Sequence, residues 1–455
     1  MLTRKDDFVK SLIALNPSKA ISIGFALVIL TGALLLSFPV SSKSGEGIRF
    51  IDALFTATSA TCVTGLNVID TNSSYTLFGQ TVILLLIQIG GLGIMTIATL
   101  FSFAFRRTIT VRERLSMVES FGQDALAGIV RLTKHVLIGT LTFEALGALI
   151  LSTQFIGEYG VALGIYKGIF HSVSAFCNAG FDILGTGFNA VSLTGYVNNT
   201  TVNLTIMALI IIGGLGFVVW EDIYKSSSFK KLTFYTKMVL FITAILLIGG
   251  AILFFIFEYN NPETLGNLTP KGKFLATLFQ SVTPRTAGFE SIHQGNLTGP
   301  SKLLTIILMF IGGSAGSTAG GIKTVTFGVL VITVISVIRG RSEVSVMKRG
   351  ISSSTVFKAI SVFIIGITIV IVGTIIISSV QGFNILDTLF EMTSAFGTVG
   401  LSTGITSSLN TISKIIIILT MYAGRIGVLT LSIALILRND KSANAYKFPN
   451  ERIII

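Results

Sequence analysis

"SAFGTVGLSTGIT" occupies residues 394–406 and closes the apolar stretch 385–395. That stretch is too short to cross a bilayer, which takes roughly 20 residues of helix. Glycine and small residues come directly after it, a poor continuation for a helix. A half-spanning helix with an irregular return is tolerated at membrane depth only where it is buried in protein or lines a cavity. One such element would be an oddity; a recurring one defines an architecture.

The pattern recurs three more times. Further short apolar stretches lie at 51–60, 166–175 and 272–282, and each runs into a glycine turn. Aligned on one glycine, the turns read "TSATCVTGLNVID" at Gly65, "SVSAFCNAGFDIL" at Gly180, "SVTPRTAGFESIH" at Gly288 and "TSAFGTVGLSTGI" at Gly400. Phe55, Phe170, Leu278 and Phe390 stand at the matching upstream position. Downstream come "IGGLG" (89–93), "IGGLG" (212–216), "IGGSA" (311–315) and "AGRIG" (423–427). Between the short stretches lie segments long enough to span: 18–39, 77–105, 129–156, 200–220, 236–257, 302–338, 356–380 and 411–437. The expected fold is an all-α polytopic membrane protein. It has four tandem helix–pore loop–helix repeats around a pseudo-four-fold central pore, with eight spanning helices and four re-entrant half helices. The expected repeat boundaries are 1–110, 111–228, 229–345 and 346–455. Of the second helices, 302–338 is expected to be broken, because it is too long and contains "GGSAGSTAGG".

Composition agrees. The chain is 51% hydrophobic and 12% charged, with a mean hydropathy of +0.82; soluble domains carry roughly a quarter charged residues. Continuous rather than alternating apolar runs argue against a β-barrel. The formal net charge of +12 could suggest nucleic acid, but its distribution does not. Arg4, Lys5, Lys10 and Lys19, then Arg106, Arg107, Arg112 and Arg114, then Lys225, Lys230 and Lys231, then Arg339, Arg341 and Arg349, then Arg438 and Lys441 all fall on one side of the expected membrane. The positive-inside rule makes that side, and both termini, cytoplasmic. A multi-pass protein of the cell membrane is expected, with the lipid bilayer as partner and no nucleic acid. Cys62 and Cys177 have no metal or redox spacing, and no nucleophile–base–orienter motif accompanies His171 and Cys177. An embedded enzyme would also leave the repeats unexplained.

The repeated glycines suggest a chemistry. A cation leaving water needs replacement oxygens, and backbone carbonyls supply them without a full negative charge. Carbonyls converge only where the backbone takes unusual dihedrals, which glycine permits. The candidate ion-lining residues are therefore Val63, Thr64 and Gly65; Asn178, Ala179 and Gly180; Thr286, Ala287 and Gly288; and Thr398, Val399 and Gly400. The short helices would aim their negative C-terminal ends at the same place. Beneath them, Gly312, Gly313, Ser314, Ala315, Gly316, Ser317, Thr318, Ala319, Gly320 and Gly321 are expected to form a flexible gate loop ending at Lys323. Lys323 is long enough to snorkel to the cytoplasm. Arg425 stands where the other three units have Gly91, Gly214 and Gly313. An intramembrane arginine is costly and usually functional, so Arg425 is expected to be a positive barrier anchored to that loop. Arg285 is expected to bond neighbouring carbonyls or carboxylates.

Together, the four loop glycines, "TPRTAGF", "GSAGSTAGGIK" and "AGRIG" resemble the Trk/Ktr/HKT superfamily of cation transporters, over essentially the whole chain. The chain looks most like the Ktr-type membrane subunit. The resemblance implies a potassium-translocating subunit without enzymatic activity. It implies a homodimer with one pore per protomer and sodium stimulation of potassium flux. It also implies a cytoplasmic RCK-type nucleotide-binding regulatory ring, with nucleotide bound on that partner and no cofactor in this chain. Serine at the first filter glycine is linked with sodium preference in HKT-like proteins; Gly65 implies potassium. Sodium or ammonium permeation through the same architecture is the alternative. Only the fourth loop keeps the full Thr-Val-Gly pattern, so selectivity weaker than that of tetrameric potassium channels is expected.

Overall fold

The computed structural model describes residues 17–93, Thr96, Thr99, 111–120, 128–185, 192–341, 343–346, 349–428 and Thr430. Four helices are long and apolar enough to cross a membrane among these residues. They belong to α1 (Pro17–Ser37), α5 (Ile129–Tyr159), α9 (Phe234–Glu258) and α13 (Ser353–Gln381). Their lipid-facing stripes are apolar and exposed, as at Leu34, Leu149, Ile256 and Ile375. Each is followed by a short helix: α2 (Phe50–Thr61), α6 (Val161–Phe176), α10 (Pro270–Val282) and α14 (Ile385–Gly397). A glycine loop and another helix complete each unit, so one succession occurs four times.

The interior combines apolar clusters with buried small polar residues, while many large apolar side chains face outward. Small polar residues sit inside: Thr56, Thr58, Ser59, Thr61 and Thr64 around α2, with Ser172, Ser174, Thr393 and Ser394 on α6 and α14. Phe55, Phe170 and Phe390, at the aligned position, are fully buried beside them. A helix bundle in lipid gains little from burying apolar residues and is free to place its polar groups at the centre.

The fourth element of each unit departs from expectation. The helices α3 (Leu77–Leu92), α7 (Thr200–Leu215), α11 (Gly299–Phe310) and α15 (Thr411–Ile426) all stop short of a full span. Each starts at a side-chain cap, from Thr76, Asn199, Thr298 and Asn410. The segment 200–220 is not one helix: α7 turns through 93° into α8 (Phe217–Lys225). The turning residue, Gly216, has φ +97°, a value open to glycine alone at low cost. Gly93 and Gly427, the matching residues of "IGGLG" and "AGRIG", have φ +83° and +90° and end α3 and α15. Among the described residues, the fold thus has long first helices, and second helices of which α3, α7 and α15 end at matching glycines while α11 ends at Phe310. The break expected in 302–338 is found there, and a second one interrupts 200–220. The later parts of the expected spans 77–105 and 411–437, beyond Gly93 and Gly427, lie largely outside the described residues. In the third unit the break widens into an irregular loop, and the helix resumes as α12 (Thr324–Ile338). A further helix, α4 (Val111–Ser120), precedes α5, and a four-residue helical turn at Thr71–Ser74 precedes α3.

Candidate functional site: a ring of glycine loops

The four glycine loops share one backbone conformation. Gly65, Gly180, Gly288 and Gly400 have φ +98°, +67°, +77° and +95°. Two residues earlier, Val63, Asn178, Thr286 and Thr398 have φ +57°, +58°, +70° and +50°. Left-handed backbone at a β-branched residue is a true outlier, and such strain persists only where surrounding contacts enforce it. Here the short helices enforce it. Thr64 N donates to Ser59 O at 2.7 Å, Ala179 N to Ser174 O at 2.7 Å, Ala287 N to Thr283 O at 3.0 Å and Val399 N to Ser394 O at 2.8 Å. Hydroxyls repeat the tie: Ser59 and Ser394 accept from Gly65 N and Gly400 N, each at 3.0 Å. The loop N–H groups are thus bonded back into their own helices. Left-handed residues in alternation turn successive carbonyls to one side.

The glycines close a ring. A Cβ on Gly65 would sit 2.6 Å from Ala179 O and 3.1 Å from the Cα of Gly180. One on Gly180 would meet Ala287 O at 2.8 Å and the Gly288 Cα at 3.0 Å. One on Gly288 would strike Val399 O, and one on Gly400 would strike Thr64 O. The contact order 65→180→288→400→65 is cyclic. Each glycine lies against the carbonyl that precedes the next glycine, so the four loops surround one axis. Cys62 and Cys177 are fully buried beside the ring, and a Cβ on Gly91 would lie 2.5 Å from the Cys177 Sγ. His171 packs behind the second loop: its Nδ1 lies 2.7 Å from Lys167 O, and its Nε2 accepts from Ile183 N at 3.3 Å.

One side of the ring opens into a cavity of about 560 Å³ whose lining includes all four glycines, Asp70, Asp182, Glu290, Asn67 and Ser402. Asn67, Asp182, Glu290 and Ser402 all stand two residues after their glycines. Burial pushes the Asp182 carboxyl up to about 7, with repulsion from Asp70 adding to it. Burial likewise pushes Glu290 up to about 8, against a backbone hydrogen bond from Ser402 and with repulsion from Asp182. Sequence reasoning missed this acidic mouth, although the aligned stretches contain it.

The loop from Gly312 to Lys323 lies on the other side. Thr318 Oγ1 donates to Phe176 O at 3.2 Å, at the inner end of α6. A Cβ on Gly320 would strike the Thr398 hydroxyl, and one on Gly321 would lie 3.1 Å from the Gly397 Cα. The end of α7 holds the loop as well: Ser314 N donates to Gly214 O at 3.0 Å, and Phe217 N to Gly316 O at 2.7 Å. Arg425 donates from Nη1 to Thr318 O, and from Nη2 to Gly90 O and to Gly91 O at 3.3 Å. It therefore ties α15, α3 and the loop together. Lys323 does not snorkel outward; its Nζ donates back to Ala319 O at 2.8 Å. Within the loop a carbonyl is nearer than water, and the loop gains a bond that closes it. Arg285 reaches this loop too, with Nη2 donating to Thr324 Oγ1 at 3.0 Å.

Apolar helices that enclose a ring of glycine loops, with an acidic mouth on one face, fit a membrane-embedded cation transport protein. The chain belongs to the TrkH family of cation transport proteins, whose family model matches residues 17–445. It is 41% identical over 445 residues to the potassium/sodium uptake protein NtpJ of Enterococcus hirae, covering 97% of each chain. It is 42% identical to the Ktr system potassium uptake protein B of Bacillus subtilis, covering 94% of this chain and 95% of that one. Its fold matches the crystal structure of the potassium transporter TrkH from Vibrio parahaemolyticus, with a TM-score of 0.69 and 20% identity. That match covers 91% of this chain and 85% of the other.

Proposed function

We propose that this chain is the potassium-translocating subunit of a Ktr-type uptake system, and that the glycine ring is its filter. The observation that carries this reading is the alternating left-handed backbone at the two positions of each loop, closed into a cyclic ring by the glycine contacts. A potassium ion entering from the acidic mouth exchanges hydration water for the carbonyls around Val63–Gly65, Asn178–Gly180, Thr286–Gly288 and Thr398–Gly400. Carbonyl dipoles hold it loosely enough to let it leave. Asp70, Asp182 and Glu290 raise the cation concentration at the entrance. Below the ring, Gly312–Lys323 acts as the gate and Arg425 as the barrier that holds it shut. The repeat boundaries at 110/111, 228/229 and 345/346 follow from one filter loop per unit.

Regulation belongs to the same reading. Relatives named as proteins B and D of Ktr systems support a separate soluble partner. A nucleotide-binding RCK ring would dock on the basic cytoplasmic face of a homodimer, with both termini on that side and with sodium stimulating flux. The Enterococcus relative's name joins sodium to potassium and supports sodium permeation as the second reading. Expression in cells lacking their own potassium uptake separates the two. Growth at low potassium and rubidium influx, with an RCK partner co-expressed, are expected. No rescue and no rubidium influx would remove the potassium reading, and sodium influx without rubidium influx would install the second.

A further inference from the structure

Two arginines reach the 312–323 loop, and they grip it at different places. Arg425 binds the tip through Thr318 O. Arg285 binds the base. Its Nη2 donates to Thr324 Oγ1 at 3.0 Å and lies 3.5 Å from Gly312 O, the two ends of the loop. The base is a closed unit in its own right. Thr324 Oγ1 donates to Gly312 O at 3.0 Å, Thr324 N to Gly313 O at 3.0 Å and Gly312 N to Ile322 O at 2.8 Å. Ile311 and Ile322 form a parallel bridge across it.

Arg285 is itself part of the ring. It stands three residues before Gly288, where the other loops have Cys62, Cys177 and Gly397. It directly precedes Thr286, the left-handed residue of that loop at φ +70°. The side chain is 7% exposed. It has no carboxylate within ion-pair distance among the described residues. Its bonds to Gly312 and Thr324 are its only side-chain hydrogen bonds among them. Burying a charge costs several kcal/mol unless hydrogen bonds repay it. A small residue would fill this position without that cost, as it does in the other three loops, so the contact with the loop base is what distinguishes it.

We propose that Arg285 is a positioning residue that fastens the base of the 312–323 loop to the third filter loop. The loop then moves by its tip alone, and the Thr286 and Ala287 carbonyls hold their register while it does. The inference rests on the transport reading above and adds a division of labour to it. Arg425 sets how often the path is open. Arg285 sets how well the filter discriminates.

The test uses the full chain with its regulatory partner in proteoliposomes, and reads both rubidium influx and the rubidium-over-sodium ratio. Arg285→Met is expected to lower the ratio about tenfold, the scale of one charge-assisted hydrogen bond, without raising rubidium influx. Arg285→Lys, able to reach a single acceptor, is expected to restore part of the ratio. Thr324→Val removes the same bond from the other side, together with the Thr324 Oγ1–Gly312 O bond, and should lower the ratio by itself. The double variant should fall by clearly less than the two single falls combined, because both remove the Arg285–Thr324 contact. With residues 314–319 deleted, Arg285→Met should still lower the ratio. An unchanged ratio in Arg285→Met and Thr324→Val, an additive fall in the double variant, or a fall erased by the loop deletion would each overturn the proposal. Should Arg285→Met fail to insert, Arg285→Lys and Thr324→Val decide it by the same criteria. No rubidium influx in the unmodified protein would instead overturn the transport reading and take this inference with it.

Discussion

Gly400→Ser is the sharpest test of the ring. Gly400 has φ +95°, where a residue with a side chain pays about 1–2 kcal/mol or more. Its Cβ would lie 2.9 Å from the Cα of Gly65 and would strike Thr64 O. Both are backbone atoms, and neither can swing away as a side chain would. The added atom is accommodated only by moving the first loop or by leaving the left-handed conformation. Either change takes Thr64 O or Val399 O out of the ring. A penalty of about 2 kcal/mol shifts the balance between the native geometry and any relaxed one by roughly thirtyfold, since about 1.4 kcal/mol is a factor of ten. The rubidium-over-sodium ratio of influx should therefore drop at least about tenfold. The assay is sodium competition against rubidium influx in cells without their own potassium uptake, normalised to protein in the membrane. Two substitutions separate the causes. Gly45 has φ +73° with nothing within 4 Å of its Cβ position, so Gly45→Ala pays the dihedral cost away from the ring and should leave the ratio alone. Gly249 has neither a positive φ nor a neighbour within 4 Å, and Gly249→Ala should change nothing. A Gly400→Ser protein that inserts normally and keeps its ratio would refute the filter assignment.

Three further outcomes concern other parts of the site. Arg425→Ala removes the bonds to Thr318, Gly90 and Gly91. Hydrogen bonds from a charged group are worth about 1.5–3 kcal/mol, so initial rubidium influx should rise roughly tenfold; an unchanged rate would remove the barrier. Asp182→Asn with Glu290→Gln should raise the rubidium concentration needed for half-maximal influx and leave the maximum intact. Because both carboxyls are raised, Asp182 to about 7 and Glu290 to about 8, they gain charge as pH rises through roughly 6 to 9. Influx at low rubidium should climb over that window and be flat in the double variant, whereas an equal climb in both would exonerate these acids. Lys414 pairs with Asp52 at 2.6 Å and Lys302 with Asp387 at 3.0 Å, each joining a short helix to the second helix of the unit before it in the ring. Lys414→Met strands a largely buried carboxylate, which costs about 3 kcal/mol. Its melting temperature in detergent should fall well below that of Lys414→Met with Asp52→Leu, and equal melting would show that the pair holds nothing together.

Legibility in the sequence depends on which interactions demand a residue type. Gly65, Gly180, Gly288 and Gly400 were legible because the neighbouring carbonyl admits no side chain: a Cβ would lie 2.6 Å from its oxygen at Gly65 and 2.8 Å at Gly180. The equally unusual Val63, Asn178, Thr286 and Thr398 were not. Their conformation is imposed by N–H bonds to the short helices, and an N–H is present whatever the side chain. The same reasoning covers the second helices. The apolar run "GGLGFVVW" (213–220) does not weaken at Gly216, so hydropathy reads through a 93° turn that only the dihedral at one glycine betrays. Arg425 announced itself as a charge in place of glycine, but its acceptors are carbonyls of Gly90, Gly91 and Thr318, groups every residue carries. Arg285 was expected to bond neighbouring carbonyls or carboxylates; one acceptor is a carbonyl, that of Gly312, and the other is the Thr324 hydroxyl, and they lie 27 and 39 residues further along the chain. In a protein whose site is built of backbone, side-chain patterns locate the loops that cannot be otherwise, and leave unwritten the contacts by which those loops hold one another. Those contacts set how much of the ring moves when the loop beneath it does, so the substitutions most informative about transport lie at Arg285, Thr324 and Arg425 as much as at the glycines themselves.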